Sequence, residues 1–164
     1  MLLLMEETAW LSDDELTAWV RLTAVLELLP AALDLQLGRD EGLTHFDYFT
    51  LAMLSETPGR SLRVSALAAR TNATLPRLSR VLSRLEAAGF VDRAPSEEDR
   101  RATDVTLTEA GWLKVAGAAP GHVATVRRLV IDGLTPEQVA QLSTISTTML
   151  KQLDPDGRMF ATGA

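Results

Sequence analysis

The sequence contains no cysteine, which removes disulfide frameworks, thiolate zinc sites, cysteine nucleophiles and thiol redox sensing together. His45 and His122 are its only histidines, so imidazole-based metal chemistry is thinly supplied and no metal or cofactor is expected. Aromatic residues make up 5% of the chain, too few for a broad aromatic cage. No apolar run reads as long enough to cross a membrane. Met1-Leu2-Leu3-Leu4-Met5 is apolar but short, has no basic residues before it and meets Glu6 and Glu7 at once. It is expected to be a frayed or packing arm at the start of a helix, not a signal peptide. These absences predict a cytoplasmic chain with no membrane partner.

What is present fits one globular domain: 164 residues, 46% apolar and 23% charged. The net charge of -6 taken whole argues against a polyanionic partner. Its distribution argues the other way. Between Arg60 and Arg101 nine arginines stand against five acids, a local balance of +4, and the remainder of the chain carries -10. Such asymmetry suggests a polyanion-binding face on an acidic body, with a merely solvated charged face as the rival reading. Ser61, Ser65, Ser79 and Ser83 have no histidine at motif spacing, there is no Gly-rich phosphate loop, and the carboxylates are scattered. No catalysis is expected.

The hydrophobic period is mostly helical. From Asp13 as N-cap, Leu16, Trp19, Val20, Leu22, Val25, Leu26, Leu28 and Leu29 cover more than one face of a helix. A second subunit or a thick monomer core could cover it. A kink is expected near Pro30 before Gly38 or Gly42 ends the element. Thr44 caps a second helix to about Glu56, with Phe46, Phe49, Leu51, Met53 and Leu54 facing inward. A short third helix is expected from about Leu62 to Arg70. Thr71-Asn72-Ala73 then turns into a fourth, capped by Thr74, with Pro76 in its first turn.

In the fourth helix Leu78, Val81, Leu82 and Leu85 form a buried stripe, and Arg77, Arg80 and Arg84 a second stripe roughly 120° away. Gly89 ends it. Phe90 to Arg93 and Asp104 to Leu107 alternate as two strands around a charged loop, and Thr108 caps a fifth helix. A last helix opens on a capping box of Thr135, Pro136 and Gln138, with Leu134 and Val139 as a hydrophobic staple. Val139, Leu142, Ile145, Met149 and Leu153 form its stripe, and Asp154-Pro155-Asp156-Gly157 stops it. Two helices joined by a tight turn, the second exposing arginines, followed by a hairpin, describe a winged helix-turn-helix.

Three stretches carry a resemblance as well: Leu85-Glu86-Ala87-Ala88-Gly89-Phe90-Val91-Asp92-Arg93, Asp99-Arg100-Arg101, and Leu107-Thr108-Glu109-Ala110-Gly111. They resemble the multiple-antibiotic-resistance regulator (MarR) family, whose D-x-R-x5-L-T wing signature is matched by Asp99, Arg101, Leu107 and Thr108. The likeness extends more loosely from Asp13 to Leu153. It implies a mostly α fold, a winged helix-turn-helix with N- and C-terminal dimerisation helices. It also implies a homodimer with interlocking first, fifth and sixth helices, binding double-stranded DNA at a pseudo-palindromic operator. Such a regulator represses more often than it activates, and a small aromatic or phenolic effector releases it. On this reading residues 1–43 are an N-terminal arm and dimerisation helix, 44–108 the winged DNA-binding region, 109–153 the C-terminal dimerisation helices, and 154–164 a flexible tail. A winged-helix adaptor that holds a protein partner is the rival.

Within the DNA-binding region Thr74, Leu75, Pro76 and Arg77 begin the helix that would enter the major groove, where arginine pairs with guanine and helix N–H groups meet phosphate. Ser79 joins them, Arg80 and Arg84 are expected on phosphates, and Arg100 and Arg101 on the wing, with Arg101 in the minor groove. Asp99 is expected to brace the wing loop. Glu97 and Glu98 are a departure, since acids at the tip repel phosphate. For an effector crevice between the dimerisation helices and the reading head the resemblance suggests Trp19, His45, Tyr48, Phe49, Met53 and Trp112, with ordinary core packing as the rival for each.

Overall fold

The computed structural model describes residues 9–97 and 99–159. The expectations for Met1 to Met5, for Glu98 and for the end of the tail, 160–164, lie outside the described residues. Six helices and a three-stranded sheet follow in the order α1 (Asp13–Glu41), α2 (His45–Ser55), β1 (Ser61–Arg63), α3 (Val64–Arg70), α4 (Leu75–Ala87), β2 (Val91–Pro95), β3 (Thr103–Leu107), α5 (Glu109–Val126) and α6 (Pro136–Leu153).

Helix α1 begins one residue earlier than the sequence suggests. Ser12, not Asp13, is the N-cap; its hydroxyl accepts from the Glu15 N–H while the Glu15 carboxylate accepts from the Ser12 N–H at 2.8 Å. That reciprocal box satisfies two donors that the first turn would otherwise leave orphaned. Pro30 stays inside one continuous helix, removing only the N–H that would have reached the Leu26 carbonyl. Gly42 ends the helix at φ 66°, in the left-handed region glycine tolerates. Because α1 runs unbroken, it contains an 18-residue window of mean hydropathy 1.5 and is long enough to cross a membrane. The sequence reading missed this because Arg21 and Glu27 interrupt the apolar run.

Ser61–Arg63 is the second correction. Expected to open a helix with Leu62, it pairs antiparallel with β3, Leu62 opposite Val105, and so makes a sheet in the order β1-β3-β2. Its residues are half-buried, and helix α3 starts only at Val64. The hairpin β2–β3 runs in register from Val91 opposite Leu107 to Pro95 opposite Thr103.

The core lies under the helix-turn-helix, where Leu51, Leu54, Leu67, Leu78, Leu82, Leu85, Val91 and Val105 are fully buried. Helix α5 crosses the root of the hairpin so closely that a Cβ on Gly111 would stand 2.1 Å from the Phe90 carbonyl oxygen. Only glycine permits that approach. Helix α6 buries no residue in its own chain. After it, the N–H groups of Arg158 and Met159 donate to the Asp154 carboxylate at 3.0 and 2.8 Å, so the stretch expected to be a tail opens with an ordered turn.

Candidate nucleic-acid interface

The turn into α4 is sharp because Asn72 takes φ 48° and the Ala73 N–H returns to the Ala68 carbonyl at 2.9 Å. Thr74 caps the helix through its hydroxyl, and a proline occupies the first turn. With Leu78, Val81, Leu82 and Leu85 buried, 100° per residue turns Pro76, Arg80 and Ser83 directly outward, with Ser79 beside them. Arg77 and Arg84 fall on the flank toward α2. There the Arg77 guanidinium lies 4.1 Å from the centre of the Phe46 ring, and Arg84 forms an ion pair with Asp47. The opposite flank faces the hairpin, where Glu86 pairs with Arg93, Nε to carboxylate 3.0 Å.

Between that flank and the wing runs a groove of about 360 Å³, lined among others by Arg63, Arg93 and Arg101 and by Ser65, Ser79 and Thr103. Leu75 lines it too, so the start of α4 and the wing share one surface. In the wing loop the Asp99 carboxylate accepts from the Arg101 N–H at 3.0 Å, while its carbonyl accepts from the Ala102 N–H at 2.8 Å. Arg100 and Arg101 are exposed. Glu97 is exposed and lines a separate recess with Ser61, Leu62, Arg63 and Asp104.

The sequence reading singled out neither Arg63 nor Asp47. Arg63 had no signal as long as β1 was read as helix. Asp47 did have one, the T-x-x-D spacing from Thr44, at which its carboxylate accepts from the Thr44 N–H at 3.0 Å.

The residues suggested for an effector crevice divide into two groups. His45, Tyr48 and Phe49 gather at the junction of α2 with α1 and α5, and His122, which the sequence reading left without a role, joins them. Its ring is stacked 6.0 Å from His45 and lies 4.5 Å from Tyr48; His45 and Phe49 are 6.4 Å apart. Among the described residues, Nδ1 of His122 in this cluster is buried without a hydrogen-bond partner, as is Oε1 of Gln36 on α1, whose amide lies near Gly121 of α5. By contrast, Trp19 is more than half exposed on α1, Met53 belongs to the buried core, and Trp112 lies under the Arg60 guanidinium at 4.9 Å.

Burial pushes the His45 imidazole below its ordinary value of 6.5, with Asp34 opposing in part. Burial, and then the charge His45 would carry, push His122 down as well. Both folded-state values thus lie below the unfolded one. Above pH 7 both histidines are neutral in both states and cost nothing. As pH falls through 6.5 the unfolded chain takes up protons that the fold resists, and stability declines. The melting temperature is therefore expected to drop between pH 7.5 and 5.5, and His122→Gln to flatten the drop. A carboxylate such as Asp40, held down to about 2 by hydrogen bonds from Arg39 and Gln36, acts only at far lower pH. A flat wild-type profile across this window overturns the argument.

A family model described as MarR family matches residues 41–102 of the chain. Sco3205, a MarR family transcriptional regulator from Streptomyces coelicolor solved in complex with DNA, is 39% identical. It superposes with a TM-score of 0.87 over 92% of this chain and 94% of that one. AbsC, a MarR family transcriptional regulator from the same organism, is 40% identical, with a TM-score of 0.83 over 89% of this chain and 98% of that one. Among curated proteins, the HTH-type transcriptional regulator YfiV of Bacillus subtilis is 40% identical over 79 residues. That match spans 48% of this chain and 48% of YfiV, about half the length of the relative.

Proposed function

The chain belongs to the MarR family of transcriptional regulators, and on that premise we propose that it binds double-stranded DNA sequence-specifically as a homodimer and represses from a pseudo-palindromic operator. The observation that carries this reading is the single surface formed by the outward face of α4 and the groove of Arg63, Arg93 and Arg101. A helix N-terminus and a hairpin sharing one arginine-lined face match a major groove and its neighbouring minor groove. The acidic remainder of the chain then limits contact to that face. A cytoplasmic location follows from this reading.

Release by a small aromatic or phenolic effector is the finer part of the proposal. The cluster of His45, Tyr48, Phe49 and His122 supports it, offering flat ring faces and, in Nδ1 of His122, a buried polar atom without a partner among the described residues. An effector acts there only by binding one spacing of the two reading heads better than another. Selection of bound sequences from random duplexes, with and without a panel of aromatic and phenolic acids, tests both parts. The expected result is a two-fold related site, with affinity falling by orders of magnitude between low and moderate salt. Salt-insensitive binding without sequence preference would favour the adaptor reading, and a panel that leaves operator affinity unchanged removes the effector.

A further inference from the structure

We propose that Asp47 is a positioning residue for duplex recognition, fixing α4 through Arg84 and withdrawing that arginine's charge from the phosphates. The proposal rests on the DNA-binding reading above. Its basis is the first turn of α2. The Asp47 side chain is 3% exposed, while that of Arg84 remains 56% exposed. One carboxylate oxygen pairs with the Arg84 guanidinium, and the other accepts from the Thr44 N–H at 3.0 Å. The Asp47 N–H in turn donates to the Thr44 hydroxyl at 3.0 Å. A single buried carboxylate thus closes the cap of α2 and grips the recognition helix.

The residue before it makes a second grip. Phe46 lies under Arg77, and Arg77 and Arg84 are seven residues apart, about 10.5 Å along the helix axis. Two contacts that far apart restrain the rotation of α4 about its axis and its tilt against α2. Rotation matters most, since the positions facing outward are the ones a base edge would meet. The buried partner also changes the electrostatics. A charge compensated by an adjacent carboxylate releases little counterion when it approaches phosphate, so Arg84 contributes almost nothing to the salt dependence that a count of arginines suggests. An unpaired Arg84 would do the reverse, adding sequence-blind attraction.

The test compares the full-length chain with Asp47→Asn, Asp47→Glu and Arg84→Gln on the selected operator and on a scrambled duplex, across a salt series, with melting temperatures beside them. The ratio of the two affinities is independent of the folded fraction, so a loss of stability alone does not move it. Asp47→Asn is expected to lower the operator preference by about tenfold, the worth of one charge-assisted hydrogen bond. It should also steepen the salt dependence on scrambled duplex by about one phosphate per subunit. Asp47→Glu, which keeps a carboxylate at the third position of the capping box, should retain most of the preference. Arg84→Gln should lose preference with its salt slope unchanged, and this arm stands even if Asp47→Asn does not fold.

An Asp47→Asn protein that melts lower but keeps ratio and slope overturns the proposal, because Asp47 is then only a stabilising cap. A shallower slope in Arg84→Gln with preference intact also overturns it, because Arg84 then binds phosphate directly. A wild-type chain that prefers no duplex at all fails the DNA-binding reading itself, an outcome the wild-type arm identifies separately.

Discussion

Deletion of residues 135–164 is expected to leave a chain that aggregates or does not fold, whereas the full-length chain is expected to sediment as a dimer at micromolar concentration. The reason lies in what the single chain leaves uncovered. Helix α6 buries none of its residues, and Leu142, Ile145 and Leu153 face solvent. An 18-residue helix that buries none of its residues gains little of the packing from which helices in proteins draw most of their stability. On α1 the same is true of Leu16, Trp19, Val20, Val25, Leu26 and Leu28, and only Leu33, Gln36 and Leu37 are buried. Contiguous apolar surface of this extent is foreign to a soluble monomer. Burying one such side chain contributes about 1.5–3 kcal/mol, and two-fold symmetry counts every contact twice. A second copy supplies matching helices without any further partner. Sedimentation of the full-length chain at 17.8 kDa under these conditions overturns the dimer.

How much of this was legible in the sequence depends on the range of the interaction. Four caps were readable, because Thr44, Thr74, Thr108 and Thr135 act on N–H groups three residues away, whereas at α1 Asp13 beside Ser12 offered an equally good cap and the sequence pointed one residue too far along. The stripe of α4 was readable for the same reason, since period and burial are one fact. Strand β1 was not. Leu62 and Val64 continue the apolar pattern of α3, and what makes Ser61–Arg63 extended is the edge of β3, more than forty residues downstream. Local propensity has no access to that partner. The exposed face of α1 was half legible: the all-round apolar character showed that one neighbour was not enough, and only the fold shows that the uncovered part is mostly its N-terminal half, with Leu28 and Leu35 exposed beyond it.

The candidate site divides along the same line. The sequence singles out His45 and Tyr48, but His122 meets their rings from α5 through a contact no spacing encodes. The three arginines of α4 were read as one stripe, which is correct as helical geometry. The structure separates them by what lies alongside: Phe46 takes Arg77, buried Asp47 takes Arg84, and Arg80 faces outward, its Nε donating to its own helix's Pro76 carbonyl at 3.4 Å.

That separation makes Arg80 and Arg101 the pair whose removal should differ most. Arg80 lies on the outermost face of α4 one turn from its start, where a guanidinium can reach a base edge and pair bidentately with guanine. Arg101 lies on the wing, its backbone held by Asp99, and can reach only minor groove and phosphate. Arg80→Ala should cost roughly 1 to 3 kcal/mol on the operator and flatten the preference at one base position in each half-site. Arg77→Ala should resemble it in kind with a smaller loss, since Arg77 must first leave the Phe46 ring, a contact worth about 0.5–1 kcal/mol at an exposed site. Arg101→Ala should weaken operator and scrambled duplex nearly alike and reduce the salt slope by about one unit per subunit. All three side chains are exposed, so melting temperatures should hardly move. Isotherms on both duplexes at two salt concentrations measure each quantity. If Arg101→Ala leaves binding intact while Glu97→Gln strengthens it, the wing is held off the duplex by its own acid, and the reading rests on α4 alone.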